Sequence, residues 1–266
     1  MCLPCVKFGR WLNVNRNSMP PVVESLAETE RYTLHLAFEP AQVRAAQRLR
    51  FEVFNLEMGE GLATSAATGL DEDKFDAVCE HLLVIETASG VVVGTYRMQT
   101  GTNAAAHLGY YSAREFDFQP FEAARGEIME LGRACVAVAH RNQSVLGLLW
   151  KGIAKYAQSQ KARYLIGCSS LTSQNEAQGL RTYLELEGRC LAPLAWRTVP
   201  IAGWQCAAGS AAPEVVPVPR LMSAYLAAGA KICGEPAIDR EFGTIDFLTW
   251  MDLQSMPARV LRKFMG

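Results

Sequence analysis

The chain has 266 residues, 50% of them hydrophobic and 20% charged, an ordinary globular composition with material for one large core. Its formal net charge of −1 excludes a dedicated nucleic-acid binder, which would carry a basic excess, and no apolar run approaches the ~20 residues needed to span a bilayer. Eight cysteines without a signal-like stretch do not suggest a secreted disulfide framework, and the lone Cys2-x-x-Cys5 pair lacks a second pair at metal spacing, so no metal is expected.

Residues 1–28 are expected to be a poorly ordered tail containing the Pro20-Pro21 breaker. Residues 32–38 alternate apolar and polar positions, which predicts a half-buried strand. Pro40 opens a helix that places Val43, Ala46, Leu49 and Val53 on one side, and residues 54–68, rich in small residues, read as a loop. Residues 81–87 and 91–100 form a hairpin about Ser89-Gly90, and residues 127–138 form another strand. A helix over 144–158 follows with Ser144 as its N-cap, then a strand over 163–169 and a helix over 175–187. Residues 193–219 are irregular, 220–228 are helical up to Gly229, 242–252 form the last strand, and 257–265 form a short basic helix. The alternation predicts an α/β fold, a mixed sheet covered by helices, with one domain over 29–256 and a basic C-terminal helix over 257–266.

Charges embedded in apolar pattern carry most of the functional information. They are Arg50 at the end of the first helix, Asp71, Asp73 and Asp76 in one short segment, Arg97 in the hairpin, and Glu130 with Arg133 in mid-strand. A buried charge costs several kcal/mol unless it is paired, so these groups are expected to form one network. Glu130 and Arg133 are three residues apart and would face opposite sides of a regular strand. Gly132 between them could host a bulge that re-aims one side chain; otherwise Glu130 faces a cleft and Arg133 pairs behind the sheet.

Arg50 with Phe54, the three aspartates, Arg97 and the Glu130…Arg133 pair resemble the charged signature of acyl-homoserine-lactone synthases, which are GNAT-like acyltransferases. The chain is more closely similar to ornithine-lipid N-acyltransferases and long-chain N-acyl amino acid synthases. That likeness extends through Glu130-Leu131-Gly132-Arg133-Ala134-Cys135-Val136, through Arg163-Tyr164-Leu165-Ile166-Gly167-Cys168-Ser169-Ser170-Leu171, and through residues 219–247, which end in Phe242-Gly243-Thr244-Ile245-Asp246-Phe247. The resemblance implies a bacterial, cytoplasmic enzyme that moves a (3-hydroxy)fatty acyl group from acyl carrier protein to the α-amine of ornithine, giving lyso-ornithine lipid. The second, O-acylating domain found fused to some of these enzymes is not expected in this chain. Two alternatives stand beside this: an N-acyl amino acid synthase with a neutral or aromatic acceptor, and a non-catalytic GNAT-fold protein that binds acyl chains or a membrane surface.

On that resemblance Glu130 is the expected general base, since an α-ammonium must lose a proton before it attacks. Asp71, Asp73 and Asp76 are expected to make a negative pocket for a cationic acceptor. Arg50, Arg97 and Arg133 would hold the network, or one of them would clamp the acceptor carboxylate. The donor loop is assigned to Arg141, Asn142, Gln143, Ser144 and Val145. Ser144 and Leu146 stand where coenzyme A users carry glycines that cradle a pyrophosphate, which favours acyl carrier protein over coenzyme A as the carrier of the acyl-phosphopantetheine thioester. No cofactor is expected to be bound permanently. Lys151, Lys155, Lys161 and Arg163 form the expected docking patch for that acidic carrier. Arg259, Arg262 and Lys263 suggest peripheral contact with anionic membrane at its inner face.

Overall fold

The computed structural model describes residues 25–207, 217–257 and 259–260. Its strands are β1 (Ala27–Glu28), β2 (Tyr32–Leu36), β3 (Glu80–Glu86), β4 (Val92–Thr100), β5 (Ile128–Val136), β6 (Tyr164–Leu171), β7 (Lys231–Ile232), β8 (Ala237–Asp239) and β9 (Thr244–Asp252). They make one sheet in the order β1-β2-β3-β4-β5-β6-β9-β7, with β8 also on β9. Every pairing is antiparallel except β5 with β6, which is parallel. The helices are α1 (Pro40–Phe51), α2 (Ser65–Thr68), α3 (Gly101–Ala106), α4 (Gln143–Ser159), α5 (Glu176–Cys190) and α6 (Arg220–Ala227). This is the expected α/β architecture, and no helix among the described residues is long and apolar enough to cross a membrane.

The two faces of the sheet differ in chemistry. On one face α4 packs Val145, Leu149 and Ile153 against Leu34, Leu82, Tyr96, Met98, Met129, Leu165 and Met251. Each such aliphatic side chain contributes roughly 1.5–3 kcal/mol by leaving water. The opposite face carries α1 and the helical turn that continues it, whose Leu49, Val53 and Phe54 meet Leu62, Cys135 and Phe242. Between this cluster and the aromatic group of Tyr110, Phe118, Phe121, Tyr164 and Trp250, the second face is lined with polar side chains.

Some boundaries differ from the sequence-based expectations. Ala27 and Glu28 pair with Leu34 and Thr33, so the sheet begins inside the expected tail; residues 1–24 lie outside the described residues. The expected loop from residue 54 begins as helix. The chain continues from α1 into a π-helix, Glu52–Met58, because nothing interrupts it before Gly59, whose φ of 69° ends the turn at low cost. Asn142, not Ser144, caps α4, its side-chain oxygen accepting from the N–H groups of Ser144 and Val145 at 3.0 Å. Of the C-terminal basic helix, Arg259 and Val260 are helical; Ala258 and residues 261–266, including Arg262 and Lys263, lie outside the described residues.

The pairing of β5 with β6 covers three positions, Ile128–Glu130 against Tyr164–Ile166. Gly167 marks its end: a Cβ there would lie 2.2 Å from the Leu131 carbonyl oxygen, so the strands touch at this point only because residue 167 has no side chain. Beyond it Leu131–Val136 and Gly167–Leu171 have no pairing with each other, and the sheet opens in its middle.

Candidate active site

A bulge in β5 builds the first wall of this opening. Thr95 of β4 is opposite Cys135 and Arg97 is opposite Gly132, so β5 holds one more residue than β4 over this step. The extra residue moves Glu130 and Arg133 onto the same face, while Leu131 and Ala134 both pack on the α4 side. Arg133 itself, rather than Gly132, takes the left-handed conformation, with φ of 50°. Such a backbone costs a residue with a side chain about 1–2 kcal/mol and persists where its surroundings hold it. Here the guanidinium bonds Asp71, Asp73 and the Tyr111 hydroxyl, and lies 4.5 Å from the centre of the Phe242 ring.

The charged signature closes into a ring. Asp71 bridges Arg50 at 2.8 Å and Arg133 at 3.2 Å; Asp73 bridges Arg133 at 3.3 Å and Arg97 at 2.6 Å. Asp76 bridges Arg97 at 2.9 Å and Arg50 at 2.7 Å, completing the circuit. Burial alone would raise the Asp76 carboxyl, but Arg50 and Arg97 outweigh it and hold the group well below the usual range; Asp73 is lowered against burial by Arg97 and Arg133. One network is therefore what these residues form. It is neutral, three cations against three anions, and this corrects the expectation of a negative pocket: each aspartate is consumed by two arginines. Each arginine is likewise held by two aspartates. Phe54 stands edge-on to Phe242 at 5.4 Å, the aromatic ring that the Arg133 guanidinium covers.

Glu130 sits beside the ring, 4% exposed. Gln99 Nε2 and the Tyr111 N–H donate to its Oε2 at 2.6 and 2.8 Å, and the Ser112 N–H donates to Oε1 at 2.8 Å. Three of the four acceptor directions of a carboxylate are thus filled, and one, on Oε1, is left. Glu130 also anchors the Tyr111–Ser112 turn, a task its sequence position did not indicate.

The donor loop closes on itself. Arg141 forms a double ion pair with Glu57 at 2.6 and 2.8 Å, and the Asn142 cap occupies two amides of the first turn of α4. Lys151 and Lys155 lie on the outward side of α4, with Lys155 Nζ donating to the Leu26 carbonyl. Lys161 and Arg163 follow the far end of the helix, roughly 25 Å from the loop at 1.5 Å per residue, and Arg163 is tied to Asp252 at 2.8 Å.

The opposite wall of the opening was not anticipated. On β6 Cys168 and Ser170 are half-buried and face the opening, and Cys168 also packs against the aromatic cluster. Cys168 Sγ lies 3.4 Å from Ser112 Oγ and 3.8 Å from Glu115 Oε2. Beside it four buried acids act on one another: Glu60, Glu115, Asp239 and Asp246. Burial, then Asp246 and Asp239, push Glu115 far above the ordinary carboxyl range; burial also raises Asp246. Burial raises Glu60 to about 7 against the hydrogen bond it accepts from Thr172 at 2.8 Å. Their signal in sequence was the one that exposed the ring, a charge inside an apolar run such as Thr244-Ile245-Asp246-Phe247. Glu115, Cys168 and Asp246 have ligand atoms within 4.8 Å of one another, the spacing of a metal site. However, burial and the carboxylates raise the Cys168 thiol well above its usual value, which opposes the thiolate a metal needs.

An opened mixed sheet with a helix starting beside the gap defines the class, and the comparisons agree. Residues 49–151 match the acetyltransferase (GNAT) domain, and the chain is an acyltransferase. It is 32% identical to the L-ornithine N(alpha)-acyltransferase of Brucella abortus over 243 residues, covering 86% of both chains. It is also 32% identical to that of Agrobacterium fabrum over 258 residues, 87% of this chain and 84% of the relative. The chain belongs to the L-ornithine N(alpha)-acyltransferase family. Among solved structures, the acyl-homoserine-lactone synthase LasI shares the fold, with a TM-score of 0.52 at 13% identity over 88% of this chain and 95% of that one.

Proposed function

We propose that this chain transfers a (3-hydroxy)fatty acyl group from the phosphopantetheine thioester of acyl carrier protein to the α-amine of ornithine, releasing lyso-ornithine lipid. The observation that carries this is the likeness, over most of the chain, to relatives named for that acceptor. The opening between β5 and β6 suits an extended thioester arm, since the edge of Leu131–Val136 facing it carries no strand pairing. Acyl carrier protein is favoured as the donor because Asn142 already occupies α4 amides that a pyrophosphate would require. Lys151 and Lys155 are the docking cations nearest the loop. In the reaction the ammonium gives a proton toward the free direction of Glu130 Oε1, directly or through water. The nitrogen then attacks the thioester carbon; the C–N bond forms, the nitrogen gives up its second proton to the leaving sulfur, and the C–S bond breaks to release the thiol, while the first proton passes from Glu130 to water. The neutral ring keeps the bulge and the Tyr111 turn in place, so the reacting groups meet without reorganisation.

The test is mass spectrometry of lipids from a host that lacks ornithine lipids and expresses this chain. A 3-hydroxyacyl ornithine species is expected; acyl derivatives of neutral amino acids alone would replace the proposal by the N-acyl amino acid synthase alternative.

A further inference from the structure

The ring and the acid cluster lie on the same face of the sheet and differ in one respect. In the ring every carboxylate meets two arginines. In the cluster of Glu60, Glu115, Asp239 and Asp246 no carboxylate has an arginine or lysine in an ion pair among the described residues. The cation that bears on Glu115 is Arg114, which is half-exposed and itself tied to Glu241 at 2.8 Å. Asp246 is 5% exposed, with the side chains of Ser170, Thr244 and Glu115 against its carboxyl, and its Oδ1 is buried without a hydrogen bond of good geometry. A buried carboxylate oxygen in that state costs free energy unless something that donates hydrogen bonds comes to it.

The geometry points to this cluster as the subsite that receives the side-chain ammonium of the acceptor, resting on ornithine as the acceptor proposed above. Asp246 is opposite Ser170 in the β6–β9 pairing, and Ser170 and Cys168 form the half-buried floor of the opening. A continuous line of contacts runs from the reaction centre to the cluster. Glu130 holds Ser112, Ser112 touches Cys168, and Cys168 touches Glu115 beside Asp246. An acceptor whose α-amine stands by Glu130 would lay its three methylenes over the half-buried Cys168 and Ser170 that flank this line. Its ammonium then offers three N–H donors to Asp246 and Glu115, which have no cation in an ion pair among the described residues. Without a cation, burial and mutual repulsion raise Glu115 and Asp246, and the cluster holds protons instead. An acceptor with an apolar side chain of the same length would leave the cluster unpaired, and this gap is the source of discrimination.

The experiment compares ornithine with norvaline, which has the same three-carbon side chain without the ammonium, using the full chain and one acyl thioester. The ratio of kcat/KM for the two acceptors is read in the wild type and in Asp246→Asn. Because it is a ratio, it is unaffected by the fraction of a variant that folds. The wild type should prefer ornithine strongly, and Asp246→Asn should reduce that preference roughly 10- to 100-fold, the scale of one lost hydrogen bond to a charge. Should Asp246→Asn yield no active protein, Glu60→Gln, at the rim of the cluster, should reduce the preference in the same direction. A wild-type preference that survives in both variants overturns the subsite and leaves the proposed reaction standing. A wild type with no ornithine preference overturns the proposed acceptor and this inference together. Activity lost to a chelator and restored by a divalent metal would also overturn it, by assigning the acids to a metal.

Discussion

Replacing Glu130 by glutamine separates the two tasks assigned to that residue. The carboxylate accepts from Gln99 Nε2, the Tyr111 N–H and the Ser112 N–H, using both oxygens. An amide offers one oxygen, so in either orientation its NH2 group faces at least one of these donors. Turned to keep the Oε2 contacts, it leaves the buried Ser112 N–H unpaired and opposed by another donor. That loss, together with weaker bonds once the charge is gone, should cost about 2–3 kcal/mol. A domain with the usual 5–15 kcal/mol of stability stays folded through such a change. Turnover on the folded fraction should fall far more, by roughly 10²–10⁴-fold, and the shape of the pH–rate profile should change. The assays are urea unfolding of both proteins at one pH, and kcat for acyl-amine formation across the pH range. A variant as stable as the wild type would refute the count of donors. A rate within about a tenth of wild type, with an unchanged pH profile, would leave Glu130 an anchor and place the base elsewhere.

Asp76→Asn should destabilise the fold by about 3–5 kcal/mol in denaturant titration, because it leaves the buried Arg50 and Arg97 each short of one partner. Stability should also depend on pH with two opposite slopes. Asp73 and Asp76 are lowered from 3.8, so their contribution is present above that value and is lost as pH falls through their lower folded values. Glu60 is raised from 4.5 to about 7, so the folded state binds more protons in that window and stability declines as pH rises through it. Buried His81, lowered from 6.5 to about 4, removes stability as pH falls between those values, so the acid cluster shows above that window. The urea midpoint should fall from pH 6.5 to pH 8 and drop again below pH 4, and a flat profile from 6.5 to 8 would contradict the burial of the acid cluster. Acyl carrier thioester should outperform acyl-coenzyme A of equal chain length, with an advantage that shrinks as salt rises and in Lys151→Glu/Lys155→Glu; equal efficiency insensitive to salt would refute carrier docking.

Which residues were legible in the sequence follows from how they reveal themselves. Arg50, Arg97, Asp71, Asp73 and Asp76 stood out because charge inside apolar pattern demands a partner, and the structure joins them with Arg133 in one ring. Their local spacing could not reveal that the ring closes on itself, since that depends on α1, β4 and β5 meeting at one place. The bulge at Gly132-Arg133 was an open alternative for the same reason: alternation along a strand reports its face only while the register is regular. Glu60, Glu115 and Asp239 come from a helix end, a short turn and a small strand, where a charge is unremarkable until the sheet gathers them. Asp246, inside the apolar run of β9, was the member that pattern alone could have flagged. The helical cap at Asn142 was missed because Asn142 and Ser144 are both good caps, and the choice rests on which backbone leaves the helix.

The central claim is transfer of an acyl group to the α-nitrogen of ornithine. Its most direct test incubates the purified chain with 3-hydroxyacyl carrier thioester and ornithine labelled with nitrogen-15 at the α position, and reads the product by mass spectrometry and NMR. An amide whose nitrogen carries the label, formed together with one free thiol per turnover, is the predicted result. An amide on the unlabelled side-chain nitrogen, or thiol release with no amide, would contradict it.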